Sequence, residues 1–181
     1  LFLIYKGELF YLIFMFISMN LALSEFYSLT EKKGATPLRW MGLVSSVFIA
    51  DYYYVQPLTT SHQMIGAAIL IVILTSIWEL FTPKLNHGQN LSATFAGILF
   101  IPVLLGTAID LRQFDQFMGT QLTFAIVIAV WACDSAAFIF GTLFGKKKIL
   151  PDISPKKSWI GSVSGLVAAI VVFYLFFSNN L

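Results

Sequence analysis

Six runs of mostly apolar residues divide this chain, at 8–29, 38–55, 63–81, 91–109, 121–142 and 160–177. Each is close to the roughly 20 residues an α-helix needs to cross about 30 Å of hydrocarbon. A spanning segment finds no water for its backbone N–H and C=O groups, so it must satisfy them internally, as a helix does. No stretch alternates with period two over a barrel-like length, which argues against strands. The pattern predicts an all-α fold, a polytopic transmembrane helical bundle with about six spans. The composition, 58% hydrophobic and 11% charged with a mean hydropathy of +0.83, fits that fold. A soluble domain carries about 25% charged residues, and a chain this apolar would expose too much greasy surface in water.

The second run is the weakest, because Asp51 and the interfacial aromatics Tyr52, Tyr53 and Tyr54 crowd its end. Thr36-Pro37, Gln56-Pro57 and Thr82-Pro83 mark helix boundaries. Only the connection 143–159 is long, and with no repeat or low-complexity linker, residues 1–181 read as a single integral membrane domain. Basic residues set its orientation. Lys32, Lys33, Arg39, Lys84, Lys146, Lys147, Lys148, Lys156 and Lys157 share one side of a six-span arrangement, leaving Lys6 and Arg112 on the other. The positive-inside rule places the richer side, including loop 143–159, in the cytoplasm and both chain ends outside. The first residue is Leu1 and the last follow directly on an apolar run, so the sequence is expected to be part of a longer one. Residues 1–23 lack the basic start and small-residue cleavage site of a signal peptide.

The net charge of +2 suggests no nucleic-acid partner. The single cysteine, Cys133, excludes an intramolecular disulfide and a cysteine-rich metal site, and reads as a small packing residue. The chemistry concentrates between Trp131 and Gly165. Asp134 lies about two turns before the end of the fifth run, on the order of 10–15 Å into the helix. A carboxylate at that depth costs about 2.5–3.5 kcal/mol and should face protein or a water-filled cavity, in a functional role or as a polar contact with a neighbouring helix. Asp134, Phe138, Gly141 and Gly145 share one helical face. Gly141/Gly145 and Gly161/Gly165 are small-residue pairs of the kind that let helices pack closely. Ser154 reads as the N-cap of the sixth helix with Pro155 at its first position. Lys156 and Lys157 then fall in the first helical turn, where free N–H groups and ammonium groups together suit phosphate. Lys146, Lys147 and Lys148 are explained as well by topology alone.

The run Asp134-Ser135-x-Ala137-Phe138-x-x-Gly141-x-x-Phe144-Gly145-Lys146, followed by Ile153-Ser154-Pro155-Lys156-Lys157-Ser158-x-x-Gly161, resembles the central motif of phosphatidate cytidylyltransferases, also called CDP-diacylglycerol synthases. Ser24-Glu25-x-x-x-Leu29 resembles the family more loosely. The resemblance implies an all-helical membrane bundle, commonly a homodimer, in the inner membrane of a bacterium with its active site facing the cytoplasm. It implies a reaction of CTP with phosphatidic acid that gives CDP-diacylglycerol and pyrophosphate with Mg²⁺. It assigns Ser154, Lys156, Lys157 and Ser158 to the nucleotide phosphates, makes Lys146 part of an electrostatic collar, and makes Asp134 a candidate metal or nucleotide contact. Asp134, Lys156 and Lys157 are the catalytic candidates. Two departures accompany it. Ile160 stands where the family usually has Glu, and the family's further spans, with a second signature holding much of the metal site, are absent from this sequence.

The competing readings are a CTP-dependent polyprenol or phytol kinase and a non-catalytic membrane scaffold or transporter. Asp51, Asp110 and Asp115 fall on the outer side and are not expected to be catalytic. His62 and His87 read as loop residues. Glu25 and Glu79 read as solvated span ends or as cavity-lining groups.

Overall fold

The structure, a computed structural model, describes residues 1–55, 61–83, 85–115, 117–151 and 154–178. Gln56, Pro57, Lys84, Asp152 and Ile153, and the side chain of His62, lie outside that description. The chain forms two compact units, Leu1–Gln116 and Phe117–Leu181.

Among its described residues, the secondary-structure elements of the first unit are all helices. A short α1 (Phe2–Lys6) is separated by Gly7 from the long α2 (Glu8–Glu31), and α3 (Arg39–Val55) and α4 (Ser61–Phe81) follow. Then α5 (His87–Ile98) runs through a π-helical segment, Leu99–Val103, into α6 (Leu104–Gln113). The π segment contains the buried Pro102. Proline has no N–H to give, and a wider i→i+5 turn lets the rod pass it without breaking.

On α2, Tyr11, Met15, Met19, Leu23 and Tyr27 recur every four residues and are all buried. The two tyrosines pin the ends of this stripe to the rod α5–π–α6. Tyr27 donates to the carbonyl of Thr94 at 3.0 Å, and Tyr11 to that of Ala108 at 3.3 Å. Small residues receive the aromatic rings. A Cβ at Gly42 or Gly97 would run into Tyr27, and one at Gly106 into the ring of Tyr53 on α3. Ser46 donates to Asn20 Oδ1 at 2.9 Å, an interhelical bond of the sort that joins helices where lipid competes for apolar contact. Apolar side chains also cover the outside, as with Leu21, 67% exposed. That face suits lipid and would be costly in water.

The second unit is a helix pair closed by a hairpin. Helix α7 (Met118–Phe144) leads into β1 (Lys148–Leu150) and β2 (Ser154–Ser158), and α8 (Trp159–Phe177) returns along α7. A Cβ at Gly161 would come within 2.8 Å of the Ala137 carbonyl oxygen, and one at Gly165 within 2.9 Å of Cys133 Sγ. The small-residue pairs are thus the seam of this helix pair, and Cys133 packs as expected.

Helices occupy all six places where the sequence has apolar runs. Among the described residues four stretches are long and apolar enough to cross a membrane by themselves: Leu9–Glu31, His87–Gln113, Met118–Phe144 and Trp159–Phe177. The other two are shorter, α3 at 17 residues and the apolar part of α4 at Gly66–Phe81. The chain is an integral membrane protein, and six is an approximate count of its spans.

Two expectations fail in the 143–159 connection. It holds an antiparallel hairpin where no strand is anticipated. The N-cap of the last helix is Ser158, not Ser154, so Pro155, Lys156 and Lys157 lie in a strand rather than in a first helical turn. The residue before a proline is pushed towards extended geometry, which turns Ser154 away from helix. Ser158 stands immediately before the apolar run, and its Oγ accepts the Gly161 N–H at 3.3 Å.

Candidate active site

The hairpin positions most of the candidate residues. Lys148 pairs with Ser158 and Leu150 with Ser154. One residue of β1, Ile149, therefore faces three of β2, namely Pro155, Lys156 and Lys157. Such a bulge bends its strand and re-aims side chains, and proline, which cannot donate to the ladder, is tolerated there. Lys156 and Lys157 are exposed on the bulge, and Lys146, Lys147 and Lys148 are exposed on the approach to β1. The lysines of both sequence clusters thus stand on one small hairpin.

Ser158 roots this hairpin in the helix pair. It is only 3% exposed, and its hydroxyl donates to the Gly141 carbonyl at 3.5 Å while capping α8. The Trp159 N–H donates to the Lys147 carbonyl at 3.1 Å, a second stitch at the same junction. A Cβ at Gly145 would overlap the Ser158 side chain, so the motif glycine makes room for the cap. Ser158 is occupied in fixing the strand–helix junction, while Ser154 is half-buried at the far end of β2.

Asp134 lies apart from the lysines. It is seven residues before Gly141, about 10 Å along the axis. It lines an open, otherwise apolar groove of about 390 Å³ with Ile126, Ala129, Val130, Cys133, Ala169 and Phe173. The side chain is exposed and has no hydrogen-bond or ion-pair partner among the described residues. The expectation that it would be enclosed is not met within this unit. The face that α7 turns to α8 is the strip Cys133, Ala137 and Gly141, and Asp134 sits about 60° round the helix from Ala137. Among the described residues no three His, Cys, Asp or Glu side chains gather to hold a metal. Mg²⁺ commonly takes one or two carboxylates and completes its shell with substrate oxygens and water. Asp134 fits as one such ligand and no more.

A polar cluster in the first unit has no counterpart in the sequence reading. Glu79 is fully buried, not solvated at a span end. Its Oε1 accepts from Asn90 Nδ2 at 2.6 Å and lies 3.4 Å from Nδ1 of His87. Its Oε2 has no hydrogen-bond partner among the described residues. Asn90 Oδ1 accepts the Thr36 N–H at 2.7 Å, and Thr94 Oγ1 accepts the Leu38 N–H at 2.9 Å. His87 is the first residue of α5 rather than part of a loop. Glu25 is exposed, as a solvated end would be.

Comparison with known proteins gives a consistent picture. Over 117 residues the chain is 38% identical to a phosphatidate cytidylyltransferase of Haemophilus influenzae, covering 64% of this chain and 41% of that protein. It is 27% identical over 184 residues to one of Bacillus subtilis, covering 97% and 65%. With one of Staphylococcus epidermidis it shares 28% over 167 residues, covering 92% and 62%. The chain thus spans between 41% and 65% of the length of these relatives. No solved structure matches it significantly. A sequence model of the cytidylyltransferase family matches residues 1–180. A match of that extent assigns the whole length at once: the chain belongs to the cytidylyltransferase family.

Proposed function

We propose that these residues form the nucleotide-handling part of an enzyme that transfers the cytidylyl group of CTP to phosphatidate. An oxygen of the lipid phosphate attacks the α-phosphorus of CTP. The bond to the β-phosphate breaks, pyrophosphate leaves, and CDP-diacylglycerol stays in the membrane. The observation that carries this reading is the bulged basic hairpin rooted by Ser158 at the start of a membrane helix. It offers lysines to a water-soluble polyphosphate where a lipid headgroup is also within reach.

The lipid phosphate is anionic at neutral pH and needs no strong base. Catalysis then rests on alignment and on neutralising the triphosphate. Lys156 and Lys157 bind and orient the phosphates, with Ser154 beside them on the same strand. Lys146, Lys147 and Lys148 raise the local concentration of anions. Ser158 contributes by holding the hairpin against α7. Mg²⁺, with Asp134 as one ligand, would neutralise charge on the polyphosphate. The hairpin faces the cytoplasm, where CTP is found, and the membrane is the bacterial inner membrane.

The test uses the full-length protein with CTP and phosphatidate in mixed micelles. Lipid-dependent release of pyrophosphate together with CDP-diacylglycerol supports the proposal. Release of CDP with a phosphorylated lipid would replace it by a CTP-dependent lipid kinase.

A further inference from the structure

A groove of about 570 Å³ runs between α3 and α4 in the first unit. Its walls include Trp40, Val44 and Phe48 from α3, and Leu70, Leu74 and Trp78 from α4, and Thr82 also lines it. These helices run in opposite directions, so the start of α3 and the end of α4 mark the same end of the groove. There Trp40 and Trp78 meet edge to face, with centroids 5.1 Å apart, and both stay about half exposed. Tryptophans so placed mark the membrane–water interface. From that pair the groove extends about 12 Å along α3 to Phe48 and about 16 Å along α4 to Ala67. One leaflet of hydrocarbon is about 15 Å deep.

The charge at that end is positive. Arg39, next to Trp40, is held by Glu31 in an ion pair of 2.6 Å. Lys32 and Lys33, on the turn that leads to α3, are exposed and have no ion pair among the described residues. An apolar slot one leaflet deep, with aromatic residues at its mouth and two free ammonium groups above, matches one lipid chain below an anionic headgroup.

We propose that this groove holds one acyl chain of an anionic phospholipid of the surrounding bilayer, with its headgroup at Lys32 and Lys33. The lipid is proposed as a resident of the groove rather than as a reactant, and the proposal stands whether or not the enzyme makes CDP-diacylglycerol.

The test is fluorescence quenching in vesicles by phospholipids brominated on their chains. The protein carries Trp131→Phe and Trp159→Phe, which leaves Trp40 and Trp78 as the indoles of residues 1–181, and any tryptophan outside them is likewise replaced by Phe. Brominated phosphatidylglycerol should reach half-quenching at a mole fraction roughly 10- to 30-fold lower than brominated phosphatidylcholine, about five-fold for each lysine. Lys32→Gln with Lys33→Gln should abolish that difference, and Val44→Phe should weaken quenching by both lipids. Equal quenching by the two lipids in the unsubstituted groove would overturn the proposal, leaving an ordinary lipid-facing surface. Protection from both would also overturn it, because protein would then cover the groove. Should the tryptophan replacements impair folding, a phospholipid with a diazirine on its chain can be photolysed against the unaltered chain. Labels concentrated on α3 and α4 support the proposal; labels spread evenly over the lipid-facing helices refute it.

Discussion

Lys156 and Lys157 stand free on a bulged strand, and this changes what their replacement should do. In a first helical turn their removal would relieve repulsion from the macrodipole and raise stability. On the exposed bulge, Lys156→Gln should leave the melting temperature unchanged, as surface substitutions commonly do within about 0.5 kcal/mol. CTP affinity should nevertheless fall roughly 10- to 150-fold in the full-length protein, since a charge-assisted bond to phosphate contributes about 1.5–3 kcal/mol. Lys147→Gln should cost less and depend more on salt. Titration with CTP and thermal melting of both variants in detergent separate these outcomes; equal small effects would reduce the lysines to topology signals. Asp134→Asn should cut turnover sharply while the protein still inserts and melts normally, because the carboxylate has no partner in its unit to lose. Glu79 should behave in the opposite way. Glu79→Gln keeps an acceptor for Asn90 and should be tolerated, whereas Glu79→Ala empties a buried site and should lower the melting temperature by several degrees. Glu79 and Asn90 are eleven residues apart on different helices, so no local pattern in the sequence could announce their pairing. Ser158 was within reach: a serine directly before an apolar run is the usual start signal. The Ser-Pro pair four residues earlier obscured it.

At the scale of elements, the apolar runs foretold where every long helix lies, because the 20-residue requirement is a property of the bilayer and needs no partner. The hairpin was not legible, since β1 and β2 are short and their pairing depends on the bulge and on Ser158 meeting Gly141. The glycine pairs were legible as a packing seam, though not its rotation, which leaves Asp134 beside the seam rather than in it. The seam makes a graded prediction. Gly161→Ala would press a methyl group on the Ala137 carbonyl at 2.8 Å, and such overpacking typically costs about 1–3 kcal/mol. At Gly141 the nearest obstacle is the Ser158 hydroxyl at 3.2 Å, the end of a side chain. Gly161→Ala should therefore melt at a clearly lower temperature than Gly141→Ala, and the reverse order would mean that the two helices meet along other faces.

For the whole molecule, the distribution of lysines predicts which side of the membrane receives the nucleotide. A cysteine introduced as Pro151→Cys in a Cys133→Ser background sits on the exposed turn of the hairpin without removing a lysine. An impermeant maleimide should fail to label it in intact cells and should label it in inverted vesicles. Labelling from outside would reverse the orientation and separate the hairpin from its proposed substrate. The polar cluster of Glu79, His87 and Asn90 belongs to this scale as well. It ties α4, α5 and the α2–α3 connection together at the end of the first unit that carries Lys32, Lys33 and Arg39.

The π turn at Leu99–Val103 works as a phase adjuster for the rod it interrupts. Gly97 before it meets Tyr27 of α2, and Gly106 after it meets Tyr53 of α3. The wide turn accommodates an extra residue and so sets the rotation of α6 relative to α5. Deleting Pro102 itself would let ordinary i→i+4 bonding run through and would turn α6 by about 100°. Gly106 would then swing away from Tyr53, and a bulkier neighbour would take its place against the ring. The spacing of the two glycines is thus a count that the chain must keep: substitutions there change contacts, but a single deletion changes the partner of an entire helix.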